Sequence, residues 1–92
     1  MLFRSITDWR AAIDVSDRHL VQLINIRATL ACELAKVKRD LGLALVDPAR
    51  EQEVLSSALQ NNAGPLDDRA ITRIFQSIIE ETRRVQANKE PA

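Results

Sequence analysis

The chain has 92 residues, a size that suits one hydrophobic core, so a single domain over residues 1–92 is expected. Thirteen Lys and Arg balance thirteen Asp and Glu, which excludes a net field that would draw the molecule to nucleic acid or membrane phosphates, and any anion must be bound locally. One Cys and one His rule out an intramolecular disulfide and argue against a zinc site, and neither a membrane-length apolar run nor a secretory signal is visible, so a reduced cytoplasmic setting is expected.

The first predicted element is a helix over about residues 6–41. Ser5 or Thr7 can cap it, and no Gly or Pro interrupts the chain before Gly42, which suits a left-handed stop. Phe3, Ile6, Ile13, Leu20, Ile24, Ala31, Leu34 and Leu41 recur at spacings built from three and four, the seam of an amphipathic helix. Arg10, Asp17, Arg27 and Lys38 fall in the same rows. Such a helix is about 50 Å long, whereas a compact chain of this size has a radius of gyration of about 12 Å. A second copy is the simplest cover for the seam, so an intertwined homodimer with the long helices antiparallel is expected.

Asp47 and Pro48 then read as the N-cap and first residue of a helix over about 48–61. Its apolar face holds Val54, Leu55, Ala58 and Leu59, and Glu51 lies on the same side. The run from Asn61 to Pro65 breaks it, and Asp67 or Asp68 caps a third helix ending near residue 87, before a frayed tail. Ile71, Ile74, Phe75, Ile78, Ile79 and Val85 form its stripe, with Thr82 inside the stripe and Gln86 one turn beyond. With no β-alternation, the fold class is all-α, three helices per chain.

All three helices thus carry polar groups on apolar faces. Seam cations cost several kcal/mol when buried without a negative partner. Arg27 and Lys38 face only the carboxylate of Glu51 in this set, so a cluster with Thr82 and Gln86 would form a small-molecule pocket that prefers an anion. Arg10 is about 25 Å along the axis from Arg27. It can reach a partner's pocket or pair locally with Asp14 or Asp17. Trp9, with Leu2 and Phe3, suits packing against the partner, while His19 and Cys32 suit the helix surface. No histidine stands near a nucleophile, and no phosphate loop or metal spacing is present. A pocket of fixed donors can still drive a unimolecular rearrangement that needs orientation and charge stabilisation.

Trp9-Arg10, Ile13-Asp14, Asp17, Leu23 to Arg27, Lys38, Asp47-Pro48-Ala49-Arg50-Glu51, Gly64-Pro65-Leu66 and Ile74-Phe75 through Gln86 follow one another in an order that resembles the all-helical chorismate mutases, over residues 9 to 86. The resemblance implies a Claisen rearrangement of chorismate to prephenate in phenylalanine and tyrosine biosynthesis, without cofactor, metal or covalent intermediate. By the same resemblance, Arg27 and the partner's Arg10 would bind the two substrate carboxylates, and Lys38 and Gln86 the ether oxygen. Glu51 would hold the substrate hydroxyl with Asp47 and Arg50 at that end, and Thr82, where serine is common, would support a carboxylate. Many relatives are fused to other enzymes of the pathway, so the chain is expected to be a free-standing mutase, a module that meets such an enzyme non-covalently, or one separated from a fusion. The alternatives are an isochorismate-pyruvate lyase, against which the Asp47-x-x-Arg50-Glu51 segment speaks, and a non-catalytic helical dimer that binds an aromatic metabolite.

Overall fold

Three helices account for nearly all of the computed structural model, which describes residues 5–88: α1 (Ile6–Asp40), α2 (Pro48–Gln60) and α3 (Asp68–Ala87). Phe3 of the expected seam, Leu2 beside it and the tail beyond Asn88 lie outside the described residues. Each helix begins where a side-chain oxygen can accept from an otherwise orphaned backbone N–H. Ser5, rather than Thr7, caps α1 by accepting from Asp8 N at 3.1 Å. Asp47 accepts from Arg50 N at 3.1 Å, and Asp67, rather than Asp68, accepts from Ala70 N at 2.8 Å.

The end of α1 is set by Gly42, whose φ of +70° is reached without the steric penalty a side chain would bring. Gly42 N donates to Arg39 O at 3.1 Å and Leu43 N to Lys38 O at 2.8 Å, the paired bonds of a Schellman stop. This closure fixes the last turn of α1, and with it the root of the Lys38 side chain. The turn between α2 and α3 is organised by Asn62, whose Nδ2 donates to Leu66 O and to Asp68 Oδ1, both at 2.9 Å, while its Oδ1 accepts from Gly64 N.

α3 packs on both α1 and α2, which do not approach each other along their backbones. Only Ala35 is wholly buried among the described residues, and Ala31, one turn before it, meets α3 where its carbonyl accepts from Gln86. The first two-thirds of α1 projects away from this packing. Ile6, Ile13 and Leu20 are 55 to 69% exposed and Ile24 is 40% exposed. The radius of gyration is 16.9 Å and the long dimension 56 Å, well beyond a compact chain of this length, because α1 alone spans about 52 Å. The expected ion pair of Arg10 with Asp14 or Asp17 is not among those formed by the described residues. A cation N-terminal to its carboxylate is the less favourable orientation on a helix, and Asp17 is two turns away.

Asp67→Ala removes the acceptor for Ala70 N and should lower stability by about 1 kcal/mol. Urea denaturation at one fixed protein concentration measures it.

Candidate active site

The helices and the 41–47 connector enclose a cleft of about 270 Å³. Arg27, Lys38, Asp47, Arg50, Glu51, Thr82 and Gln86 all line it, although they come from three helices and the connector. Leu30, Leu34, Val54 and Ile79 supply apolar walls, so the polar groups are presented at the edges of a greasy slot.

Arg27 is half-buried, and its Nη1 donates to Thr82 Oγ1 at 3.1 Å. Thr82 in turn donates its hydroxyl proton to Ile78 O at 2.7 Å, the back-bond that a threonine inside a helix commonly makes. A hydroxyl has one proton, so in this arrangement Thr82 is an acceptor that holds Arg27 in place. The Thr82 hydroxyl proton is thus already committed to Ile78 O, and the cleft-facing donor of this pair is the Arg27 guanidinium.

Gln86 reaches back across the helix interface, with Nε2 donating to Ala31 O at 2.9 Å. The second amide hydrogen stays available to the cleft. Arg39, which no sequence pattern singled out, donates from Nη2 to the carbonyl of Gln86 and clips the end of α3 to the end of α1. Lys38 stands on the last turn of α1, and its Nζ donates at 3.4 Å to Leu45 O in the connector, a long bond that leaves most of its donor capacity unspent. Both cations are only half-buried, so the desolvation cost expected for the seam is reduced.

Asp47 combines its capping role with a place at the cleft wall. Arg50 rims the opening and its Nη1 lies 3.4 Å from Glu53 Oε1, an exposed pair within α2. Glu51 is bound by Arg83, a residue the sequence reading missed. Arg83 Nε donates to Glu51 Oε2 at 2.9 Å and Nη2 to Oε1. Its protonated form is favoured first by the hydrogen bond to Glu51, then by the charge of that carboxylate, with burial opposing and Glu80 adding a smaller push in the same direction. A signal was available, since Ile79, Arg83 and Gln86 stand in one helical row at spacings of four and three, beside the Thr82 row. The cleft therefore sets Arg27, Lys38, Arg50 and Arg83 against Asp47 and Glu51, a surplus of positive charge larger than the one inferred from Arg27, Lys38 and Glu51 alone.

Arg10 is exposed on the projecting part of α1 and does not line the cleft of its own chain. His19 is exposed and Cys32 half-buried, and neither lines it. Among the described residues, no group of three or more His, Cys, Asp or Glu is placed to hold a metal ion, and no helix is long and apolar enough to cross a membrane.

Comparison with known proteins agrees with this geometry. The family model for chorismate mutase type II matches residues 9–87. A bifunctional chorismate mutase/prephenate dehydratase of Pseudomonas aeruginosa is 40% identical over 75 residues, covering 76% of this chain and 20% of that protein. The chain thus spans about a fifth of the length of the bifunctional relatives it matches. A chorismate mutase of Methanocaldococcus jannaschii is 28% identical over 89 residues, covering 92% of this chain and 87% of that one. Among solved structures, a chorismate mutase from Thermus thermophilus superposes with a TM-score of 0.88 at 28% identity, covering 94% of this chain and 98% of the other. With fold, helix order and a match that spans the cleft in agreement, the chain belongs to the chorismate mutase type II family.

Proposed function

We propose that residues 1–92 form one chorismate mutase domain that converts chorismate to prephenate by a Claisen rearrangement, working as an intertwined homodimer. The observation that carries the reading is the convergence of Arg27, Lys38, Glu51, Thr82 and Gln86 on one cleft with surplus positive charge. The reaction is unimolecular. An ether C–O bond breaks as a C–C bond forms, and negative charge collects on the ether oxygen. Orientation of the substrate and stabilisation of that charge are what the protein must contribute.

Arg27, held by Thr82, binds one substrate carboxylate, and the partner's Arg10 binds the other. Lys38 and the free amide hydrogen of Gln86 donate to the ether oxygen, and they bind it more strongly as its charge grows, which lowers the barrier rather than merely tightening substrate binding. Glu51 accepts from the substrate hydroxyl, with Asp47 and Arg50 at that end of the cleft. No cofactor, metal or covalent intermediate enters this scheme.

Dimerisation is supported by the exposed row Ile6, Ile13, Leu20 and Ile24, an apolar strip longer than the chain can cover with its own helices. It also gives Arg10 a role, since about 25 Å of helix separates it from Arg27. The names of the bifunctional relatives join a mutase to a prephenate dehydratase. A prephenate-consuming enzyme of aromatic biosynthesis is the class of partner that fits, either joined to this domain or met non-covalently. A cytoplasmic location fits as well, because the lone Cys32 stays reduced there.

Loss of chorismate absorbance, with acid conversion of the product to phenylpyruvate, is the direct assay. Release of pyruvate from isochorismate, with chorismate left intact, would instead identify a lyase. Lys38→Ala should cost about 3 to 4 kcal/mol of transition-state stabilisation, seen mainly in kcat, while helical content stays the same. Sedimentation at micromolar concentration should give a dimer, and a fully active monomer contradicts the shared site. Mixing inactive Arg10→Ala and Arg27→Ala chains should regain activity once subunits exchange, because some hybrid sites receive both arginines; no recovery removes Arg10 from the partner's site.

A further inference from the structure

Arg83 differs from Arg27 and Lys38 in what it binds, and from Arg50 in that its carboxylate partner also lines the cleft. Arg27 and Lys38 donate to neutral oxygens, Thr82 Oγ1 and Leu45 O, and neither makes an ion pair among the described residues. Arg83 instead grips both oxygens of Glu51 through Nε and Nη2, a fork-on-carboxylate geometry that fixes the plane of the acid. The Glu51 side chain is 23% exposed and that of Arg83 46%. Glu51, Ile79 and Arg83 line both the cleft and a second hollow of about 510 Å³ bordered by Arg73, Gln76 and Glu80, so the ion pair is the partition between the two.

We propose that Arg83 is a positioning residue for Glu51, acting on the substrate through that carboxylate and not by touching it; the inference rests on the mutase reading above. Three consequences follow from the geometry. The two-point grip occupies one lone pair on each carboxylate oxygen and leaves another on each for a substrate hydroxyl. It also holds Glu51 back from Lys38 and Arg27, the unpaired cations of the same cleft, which a freely rotating carboxylate would neutralise. Finally, it masks a negative charge that would otherwise repel a dianion at close range. Glu80, one turn before Arg83, lies on the side of the second hollow and adds to the field that keeps the guanidinium charged.

The test is a double-mutant cycle on the full chain, with kcat and KM for chorismate measured separately and all variants matched for helical content. Arg83→Met should raise KM roughly tenfold, within the range found for directly coupled pairs. Arg83→Lys, which keeps the charge without the fork, should bring KM back only in part, and full recovery would overturn the positioning role of the two-point grip. In a Glu51→Gln background no charge remains to mask, so Arg83→Met should leave KM unchanged. A rise in KM that persists in Glu51→Gln overturns the proposal, since Arg83 would then contact the substrate itself, and so does an unchanged KM in Arg83→Met alone. A measurement without turnover reads the grip directly. The Arg83 Nε–H proton should exchange slowly in the NMR spectrum of the free protein and lose that protection in Glu51→Gln; equal exchange in both overturns the grip. A chain that leaves chorismate untouched yet shows this loss of protection overturns the mutase reading while the grip stands.

Discussion

The cleft depends on how α3 is held against α1. Three side-chain hydrogen bonds make that attachment, from Arg27 to Thr82, from Gln86 to the Ala31 carbonyl and from Arg39 to the Gln86 carbonyl. They run beside the only wholly buried side chain among the described residues, Ala35. Small side chains at Ala31 and Ala35 suit a close helix approach, and the polar side chains then lock the register. The same residues that build the interface therefore aim the functional groups. A shift of one turn would separate Arg27 from Thr82 and withdraw Gln86 from the cleft.

This economy has an energetic consequence. A pocket with more cations than carboxylates repels itself until an anion enters, and half-burial of Arg27 and Lys38 limits that cost in the empty state. The donors are held in advance by neutral acceptors, Thr82 Oγ1 and Leu45 O, which orient them without cancelling their charge. Such preorganisation lets a site without a nucleophile stabilise charge as it develops. The Arg83 and Glu51 pair differs, as a neutralised element both of whose members line the electropositive cleft.

The long helix links site and assembly. Its last third, from Arg27 to Asp40, meets α3 and the connector, while its first two-thirds presents an uncovered apolar row. One continuous helix can thus place Lys38 in one cleft and Arg10 far outside it, because rise per residue converts sequence separation directly into distance. In the proposed dimer, covering the row and using Arg10 are a single structural problem.

The sequence by itself determined the three helices, their breaks, and which polar residues interrupt the apolar stripes. These are properties of local backbone chemistry and of a 3.6-residue period, so Gly42, Asp47 and the Arg27, Lys38, Glu51, Thr82 and Gln86 set were legible, while the caps of α1 and α3 were narrowed to Ser5 or Thr7 and to Asp67 or Asp68. The tertiary structure decided which of those side chains meet. Periodicity assigns a residue to a face and says nothing of the partner that crosses it, which is why Arg83 was missed: it stands one residue off the Thr82 stripe and joins the cleft only because α2 brings Glu51 against it. The direction of the Thr82 hydroxyl was hidden for a similar reason, since its proton goes to Ile78 O while Arg27 arrives from another helix.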